Sequence, residues 1–331
     1  MQKIPLLVIF APTASGKTAL VEKLFSDYSD SVLAGKAEII SADSMQVYRH
    51  LDIGTAKPNP QFLQHLPHHL IDIVDYTEQF GAGSFLPLAD RASQEIFSRH
   101  RLPVLCGGTA FYIKNFLYGL PQTPECDLSL RTKIQERIKK EGAKKLHEEL
   151  SALDPESAEK IHVNDEYRIQ RALEIILSTG KKRTELKAVD SLREEYNFFV
   201  IELMRPKEEL YKRINTRVEE MFLSGLEKEF NELEKNGAKP QMPGMQAIGY
   251  REFFQARDKK YLHDLQLDDE NLSYSEKVCE LIKRDTRHYA KKQLTFFSRL
   301  AGVNKFDAED FSGIERAVLE WLNNCSNLQL L

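Results

Sequence analysis

The segment that most constrains the fold is an unbroken apolar run, Leu6-Leu7-Val8-Ile9-Phe10, followed at once by Ala11-Pro12-Thr13-Ala14-Ser15-Gly16-Lys17-Thr18. A continuous apolar run of this length suits a strand buried on both faces, as in a parallel sheet. Behind the loop, Ala19, Leu20, Val21, Leu24 and Phe25 recur at helical spacing. Strand, loop ending in Gly-Lys-Thr, and helix together make a phosphate cradle. Backbone N–H groups at the helix N-terminus face the anion, the lysine adds a point charge, and the threonine hydroxyl stands where Mg²⁺ is held. Ala11 occupies the place where this pattern usually has its first glycine, so the match comes from the second half of the loop.

The rest of the N-terminal third repeats the alternation. Residues 38–43 read as a second strand and 69–75 as a third. Pro103-Val104-Leu105-Cys106 reads as a fourth, running into Gly107-Gly108-Thr109 and an amphipathic helix from Phe111 to Leu117. Strands alternating with helices imply an α/β fold: a P-loop NTPase-like parallel sheet flanked by helices, with right-handed crossovers. The pattern changes after Gly119. From Leu128 to about Leu186 the apolar stripes are helical throughout, and strand character returns only at residues 197–203. The helical block is therefore an insertion. The domain reading is a catalytic core of residues 1–118 and 197–331, with a helical insertion domain at 119–196. Long helices are expected over 208–230 and 276–300, a polar loop with short helical pieces over 258–273, and an amphipathic stretch over 313–323.

Composition narrows the class. The chain has 331 residues, 42% hydrophobic and 29% charged, which is globular and excludes collagen-like, coiled-coil and wholly disordered readings. Four cysteines, Cys106, Cys126, Cys279 and Cys325, are too few and too scattered for a disulfide framework or zinc site. No segment approaches the ~18–20 apolar residues of a membrane span, so a cytoplasmic protein with no membrane partner is expected. The net charge of −4 gives no whole-chain argument for nucleic acid, although a local basic face would suffice. A phosphate loop alone does not separate a kinase, a switch GTPase, an ATPase and a transferase. A metal-assisting aspartate could be Asp43, Asp72 or Asp75; spacing does not rank them.

Further segments carry a specific resemblance. Ser41-Ala42-Asp43-Ser44-Met45-Gln46-Val47-Tyr48 is followed by Leu51-Asp52-Ile53-Gly54-Thr55-Ala56-Lys57-Pro58, then by Pro67-His68-His69-Leu70-Ile71-Asp72 and Gly107-Gly108-Thr109-Ala110-Phe111-Tyr112. Later come residues 164–174 around Tyr167-Arg168-Ile169-Gln170-Arg171, residues 213–218, Gln246-Ala247-Ile248-Gly249-Tyr250-Arg251, and residues 286–293. With the phosphate loop, this order and spacing resemble the tRNA dimethylallyltransferases over roughly residues 4–300. The resemblance implies transfer of a dimethylallyl group from dimethylallyl diphosphate to the N6 amine of adenosine 37 of tRNA, next to the anticodon. Ala11 to Thr18 would then hold the diphosphate of an isoprenoid. Lys17, Mg²⁺ near Thr18, and Arg213 would neutralise charge on the leaving group, with Arg217, one turn on, a candidate second arginine. Asp43 is implied as general base, and Thr13 and Thr109 as hydroxyl contacts to the leaving group or base.

A stacked base cannot present its amine to a buried carbon, so the adenosine must be flipped out. The resemblance puts Asp43, Ser44, Met45, Gln46 and Thr109 on the flipped base and Gln246 to Arg251 on the tRNA side. Arg131, Tyr167, Arg168, Ile169, Gln170 and Arg171 of the insertion would grip the anticodon stem and loop. Residues 119–196 hold 15 Lys and Arg against 16 Asp and Glu, so any positive face must come from sorting. Residues 283–292 are basic, and Arg284, Arg287 and Lys291 share a helical face. Relatives from eukaryotes carry a Cys₂His₂ zinc finger; Cys279 and Cys325 lack a matching histidine pair, so the bacterial, fingerless type is expected, acting as a monomer.

Overall fold

The computed structural model describes residues 3–120, 128–185 and 191–325. The chain divides into two compact units, Met1–Leu117 with Arg193–Leu331, and Tyr118–Leu192. In the first, strands β1 (Ile4–Phe10), β2 (Ala37–Ala42), β3 (His68–His69), β4 (Leu102–Gly107), β5 (Tyr196–Met204) and β6 (Asn304–Asp307) form one sheet in the order β3-β2-β4-β1-β5-β6. All pairings are parallel. Along the chain the helices are α1 (Lys17–Phe25), α2 (Pro60–His65), α3 (Ala82–Ser98), α4 (Ala110–Tyr118), α5 (Leu128–Glu141), α6 (Ala143–Leu153), α7 (Pro155–Lys160) and α8 (Glu166–Thr179). They continue with α9 (Lys207–Leu223), α10 (Leu226–Lys235), α11 (Arg251–Gln255), α12 (Lys259–Asp264), α13 (Tyr274–Phe297) and α14 (Phe311–Asn324).

Leu6 to Phe10 are all fully buried, as a central parallel strand requires. On one face of the sheet Leu20, Leu24, Ile314 and Val318 of α1 and α14 pack with Leu7, Ile9, Val104 and Ile201. On the other, Phe297 of α13 lies against Phe10 with ring centroids 4.4 Å apart. Register puts Phe10 and Ala42 both beside Gly107, so the loops leaving β1, β2 and β4 start at one level. That shared carboxyl edge is where open parallel sheets bind ligands. Gly107 is required there, because a Cβ would sit 2.2 Å from the Ala42 carbonyl oxygen.

The second unit is helical in its described part. Ile134, Ile138, Leu146, Leu150, Ile169, Leu173 and Ile176 form its core. Its caps follow local chemistry: Asp154 accepts from Ser157 N–H and Asp165 from Arg168 N–H.

Three expectations need correction, and one strand went unread. Residues 193–196, counted with the insertion from sequence, belong to the first unit: Arg193 pairs with Asp90 at 2.8 Å and Tyr196 opens β5. The third strand is only His68–His69, because Leu70 and Asp72 take positive φ (65° and 55°) and leave the extended region. The helix expected over 208–230 is broken at Gly225, whose φ of 98° starts α10 afresh. A sixth strand, β6, has a polar, largely exposed pattern that gave no apolar signal. The proline-bearing part of the 119–124 segment, and Cys126, lie outside the described residues.

Candidate active site

The phosphate loop is held from behind by cations. Lys17 Nζ donates to the Ala11 and Pro12 carbonyls, both at 2.9 Å. Arg213 Nε donates to Ala14 O at 2.9 Å and Arg205 Nε to Ser15 O at 3.2 Å. With these carbonyls turned to cations, the first-turn N–H groups of α1 remain for an anion. Gly16 takes φ 108° at the helix start, where L side chains are strained. Ser15 is buried, so it contributes backbone rather than its hydroxyl, whereas Thr18 is exposed. Burial, helped by the nearby Arg217 charge, pushes the Lys17 ammonium down to about 8 against the pull of Cys106 and Asp43.

The other two loops close on this one. Asp43 Oδ1 accepts from the Met45 and Gln46 N–H groups at 2.9 and 3.3 Å. That turn fixes the carboxyl and leaves Oδ2 with no hydrogen bond among the described residues. Thr109 Oγ1 accepts from Ser44 N–H at 2.9 Å and donates to Ser44 Oγ at 3.2 Å, tying the β4 loop to the β2 loop. Of the three candidate aspartates, only Asp43 reaches the site. Asp72 pairs with Lys57 at 2.5 Å, and Asp75 accepts from Thr77.

The loops bound a cavity of about 330 Å³. Thr13, Ala14, Gly16, Lys17, Thr18, Asp43, Ser44, Met45 and Gln46 line it, and so do Gln246, Ala247, Ile248 and Arg251. The structure thus brings together segments separated by 200 residues of sequence. One wall is apolar, with Ile214, Val218, Met221, Ile248 and Ile282. Of the two arginines on α9, Arg217 lines the cavity, whereas Arg213 lies outside the lining with its Nε on the loop carbonyl. Burial lowers the Arg217 guanidinium below its ordinary value, and the Arg213 charge adds to that.

Sequence reading missed Gln293 and Tyr289, both on α13 and both in the lining. The available signal was polarity on an apolar stripe, since Gln293 falls in phase with Val278, Ile282 and Phe297 among the buried residues of α13. Glu229 of α10 was missed as well. Its carboxylate accepts from the N–H groups of Asp52, Ile53 and Gly54 and from Tyr250 Oη at 2.6 Å.

Several residues assigned to RNA contact are committed inside the protein. Tyr250 and Ile169 are fully buried and Gln170 nearly so, so their side chains offer RNA no surface, and Ala247 shows only in the cavity lining. Gly249 is packed against the Gly54 backbone. In the second unit Arg131 and Arg171 both pair with buried Glu174, at 2.8 and 3.0 Å. Arg168 and Tyr167 stand on the surface, Tyr167 at 72% exposure. On α13, Arg284 pairs with Asp285 and Tyr261, and Arg287 with Asn215, while Lys291 is exposed. Asn304-Lys305-Phe306-Asp307 has the letters of a guanine signature, Asn-Lys-x-Asp. Here it is strand β6, with Asn304 Nδ2 on the Val200 carbonyl, and none of it lines the cavity.

Among the described residues no helix is long and apolar enough to cross a membrane. No group of three His, Cys, Asp or Glu side chains there is arranged to hold a metal.

A family model described as IPPT, IPP transferase, matches residues 46–300. A tRNA dimethylallyltransferase of Geobacter sulfurreducens is 40% identical over 298 residues, 90% of each chain. One from Clostridioides difficile is 37% identical over 95% of each chain. Among solved structures, a tRNA isopentenylpyrophosphate transferase of Bacillus halodurans is similar with TM-score 0.64 and 35% identity over 98% of both chains. A eukaryotic dimethylallyltransferase described as acting on tRNA is similar with TM-score 0.75 and 28% identity, over 98% of this chain and 80% of that one. A parallel sheet with a lysine-bearing phosphate loop, joined in one cavity to an aspartate and an apolar wall, is thus found in a chain that belongs to the IPP transferase family, the tRNA dimethylallyltransferases.

Proposed function

We propose that the protein transfers the dimethylallyl group of dimethylallyl diphosphate to the N6 amine of adenosine 37 in tRNA, releasing diphosphate. The observation that carries this reading is the cavity itself. Lys17, Arg217 and Asp43 line it together with the apolar side chains of Ile214, Val218, Met221 and Ile282. A nucleotide kinase needs the cations; it does not need the apolar wall.

The chemistry follows from charge. As the allylic C–O bond breaks, negative charge grows on the leaving diphosphate. Lys17, Arg217 and the first-turn N–H groups of α1 meet that charge in a partly buried site, where such donors act most strongly. The amine nitrogen bonds to the allylic carbon and becomes acidic as it does so. Asp43 accepts the proton at Oδ2, its Oδ1 being held by Met45 and Gln46 N–H. Arg213 acts from behind the loop through Ala14. Thr109 acts by fixing the loops through Ser44, and Thr13, its backbone N–H held by Gln293, lines the cavity.

Mg²⁺ fits these residues only as an ion that arrives with the diphosphate. The protein offers the exposed Thr18 hydroxyl in the cavity and, among the described residues, no cage of its own, which matches the sparse protein ligation usual for Mg²⁺ on phosphates. When bound it would offset charge on the leaving group. Gln46 and Gln246, both in the cavity lining, suit the flipped adenine and its neighbours, whereas Arg251, also in the lining, is paired with Glu252 and Asp285 at 2.8 and 2.7 Å. We place the protein in the cytoplasm as a monomer.

The test is incubation with labelled dimethylallyl diphosphate and unmodified tRNA reading UNN codons. Label should pass to tRNA, and Asp43→Ala should abolish transfer while tRNA binding persists. Phosphate transfer from ATP to a small acceptor, with no label on tRNA, would overturn the reading.

A further inference from the structure

We infer that Gln293 is a positioning residue that sets the spacing between the leaving-group half and the acceptor half of the site. This rests on the prenyl-transfer reading above. Gln293 is 3% exposed near the C-terminal end of α13. Its Oε1 accepts from Thr13 N–H at 3.0 Å, and its Nε2 donates to Gly108 O at 2.7 Å. The partners fix the amide orientation, because an N–H must face the oxygen and a carbonyl must face the nitrogen. Both ends are thereby engaged with backbone, so Gln293 spans the site as a strut and leaves substrate contact to its neighbours.

The strut joins the two loops that do the chemistry. Thr13 belongs to the phosphate loop. Gly108 precedes Thr109, whose hydroxyl holds Ser44 N–H beside Asp43. A single side chain therefore sets how far the diphosphate cradle stands from the base. Bond formation needs the allylic carbon and the amine nitrogen within about 3–3.5 Å, and a displacement of about 1 Å costs on the order of 100-fold in rate. Gly108 carries the imprint of the strut: a Cβ there would lie 2.7 Å from Gln293 Nε2, whereas Ala11 O and Lys17 Nζ would be at ordinary distances of 3.6 and 3.8 Å.

The experiment compares wild type, Gln293→Met, Gln293→Ala, Gly108→Ala and the double variant Gly108→Ala with Gln293→Ala. Wild-type transfer to tRNA is measured first, so a failure of the prenyl-transfer reading shows there and not in the variants. Gln293→Met should lower kcat on the order of 10- to 100-fold. Its KM for tRNA should stay within about threefold, while its thermal midpoint falls, since Thr13 N–H and the Gly108 carbonyl lose their partners. Gly108→Ala should lower kcat about tenfold alone, by pushing the amide aside, yet have little effect in the Gln293→Ala background, where nothing remains to clash. Additive effects of the two substitutions, or a kcat for Gln293→Met within threefold of wild type, would overturn the inference. The Gly108 pair reads the strut even if Gln293→Met folds poorly.

Discussion

Lys17 is a half-buried ammonium whose acceptors among the described residues are two carbonyls of its own loop, at 2.9 Å each. Burial pushes it down to about 8, so in the free protein it begins to lose its proton just above neutrality. A diphosphate in the cradle favours the charged form and raises that value. Binding then takes up a proton at any pH between the free and the bound values. Affinity for inorganic diphosphate should be flat with respect to this group below pH 8 and fall as pH rises beyond it, by up to about tenfold per pH unit. Titration calorimetry from pH 6.5 to 9.5 reads this directly. Lys17→Arg keeps its charge throughout and should remove that component, leaving only the titration of diphosphate itself. Identical pH profiles for wild type and Lys17→Arg would mean that Lys17 stays protonated without ligand.

Element α10 acts through one carboxylate. Glu229 collects the successive N–H groups of residues 52–54, and Tyr250, buried beneath it, donates its hydroxyl to the same carboxylate. The 52–56 loop it holds provides the Thr55 and Ala56 carbonyls toward which Gln46 Nε2 points, at 3.4 and 3.3 Å. Glu229→Ala leaves those donors without an acceptor, at a cost of about 1–3 kcal/mol. Amide exchange at 52–54 should quicken about tenfold or more, and KM for tRNA should rise while diphosphate binding holds. Unchanged exchange there would show that water replaces the carboxylate. None of this network was legible in the sequence, and the reason is general. Strands β1, β2 and β5 and helices α1, α4, α13 and α14 announce themselves through apolar periodicity, and the phosphate loop through local spacing. Glu229 and Gln293 act on backbone groups 175 and more positions away, and no local pattern encodes such a bond. The break at Gly225 was hidden for a different reason: apolar periodicity continues across it, and only the left-handed φ of one residue divides α9 from α10. Strand β6 was hidden because an edge strand needs little apolar surface.

At the scale of the whole molecule, the question is how a chain of net charge −4 holds a polyanion. Sorting by partner answers it for the helical unit. Arg131 and Arg171 are committed to buried Glu174, and Arg137 is committed to Glu141 and Glu149. These guanidiniums balance internal carboxylates and add little to the field outside. Arg168 differs. Its side chain is 64% exposed, its one recorded acid, Asp165, is 3.4 Å away, and Tyr167 stands open beside it. An exposed pair of that kind is worth about 0–1 kcal/mol, so a phosphate can displace it. Arg168→Ala should therefore weaken tRNA binding alike for every tRNA substrate and reduce the slope of log affinity against log salt by about 0.7–0.9, the share of one phosphate contact. Arg137→Ala should leave that slope unchanged, though it removes the same formal charge, because its guanidinium is already neutralised at home. Filter binding across 50–300 mM salt separates the two. Equal slopes for Arg168→Ala and wild type would mean that the helical unit meets RNA through some other face, and equal losses for both variants would mean that net charge, rather than a sorted surface, governs the grip.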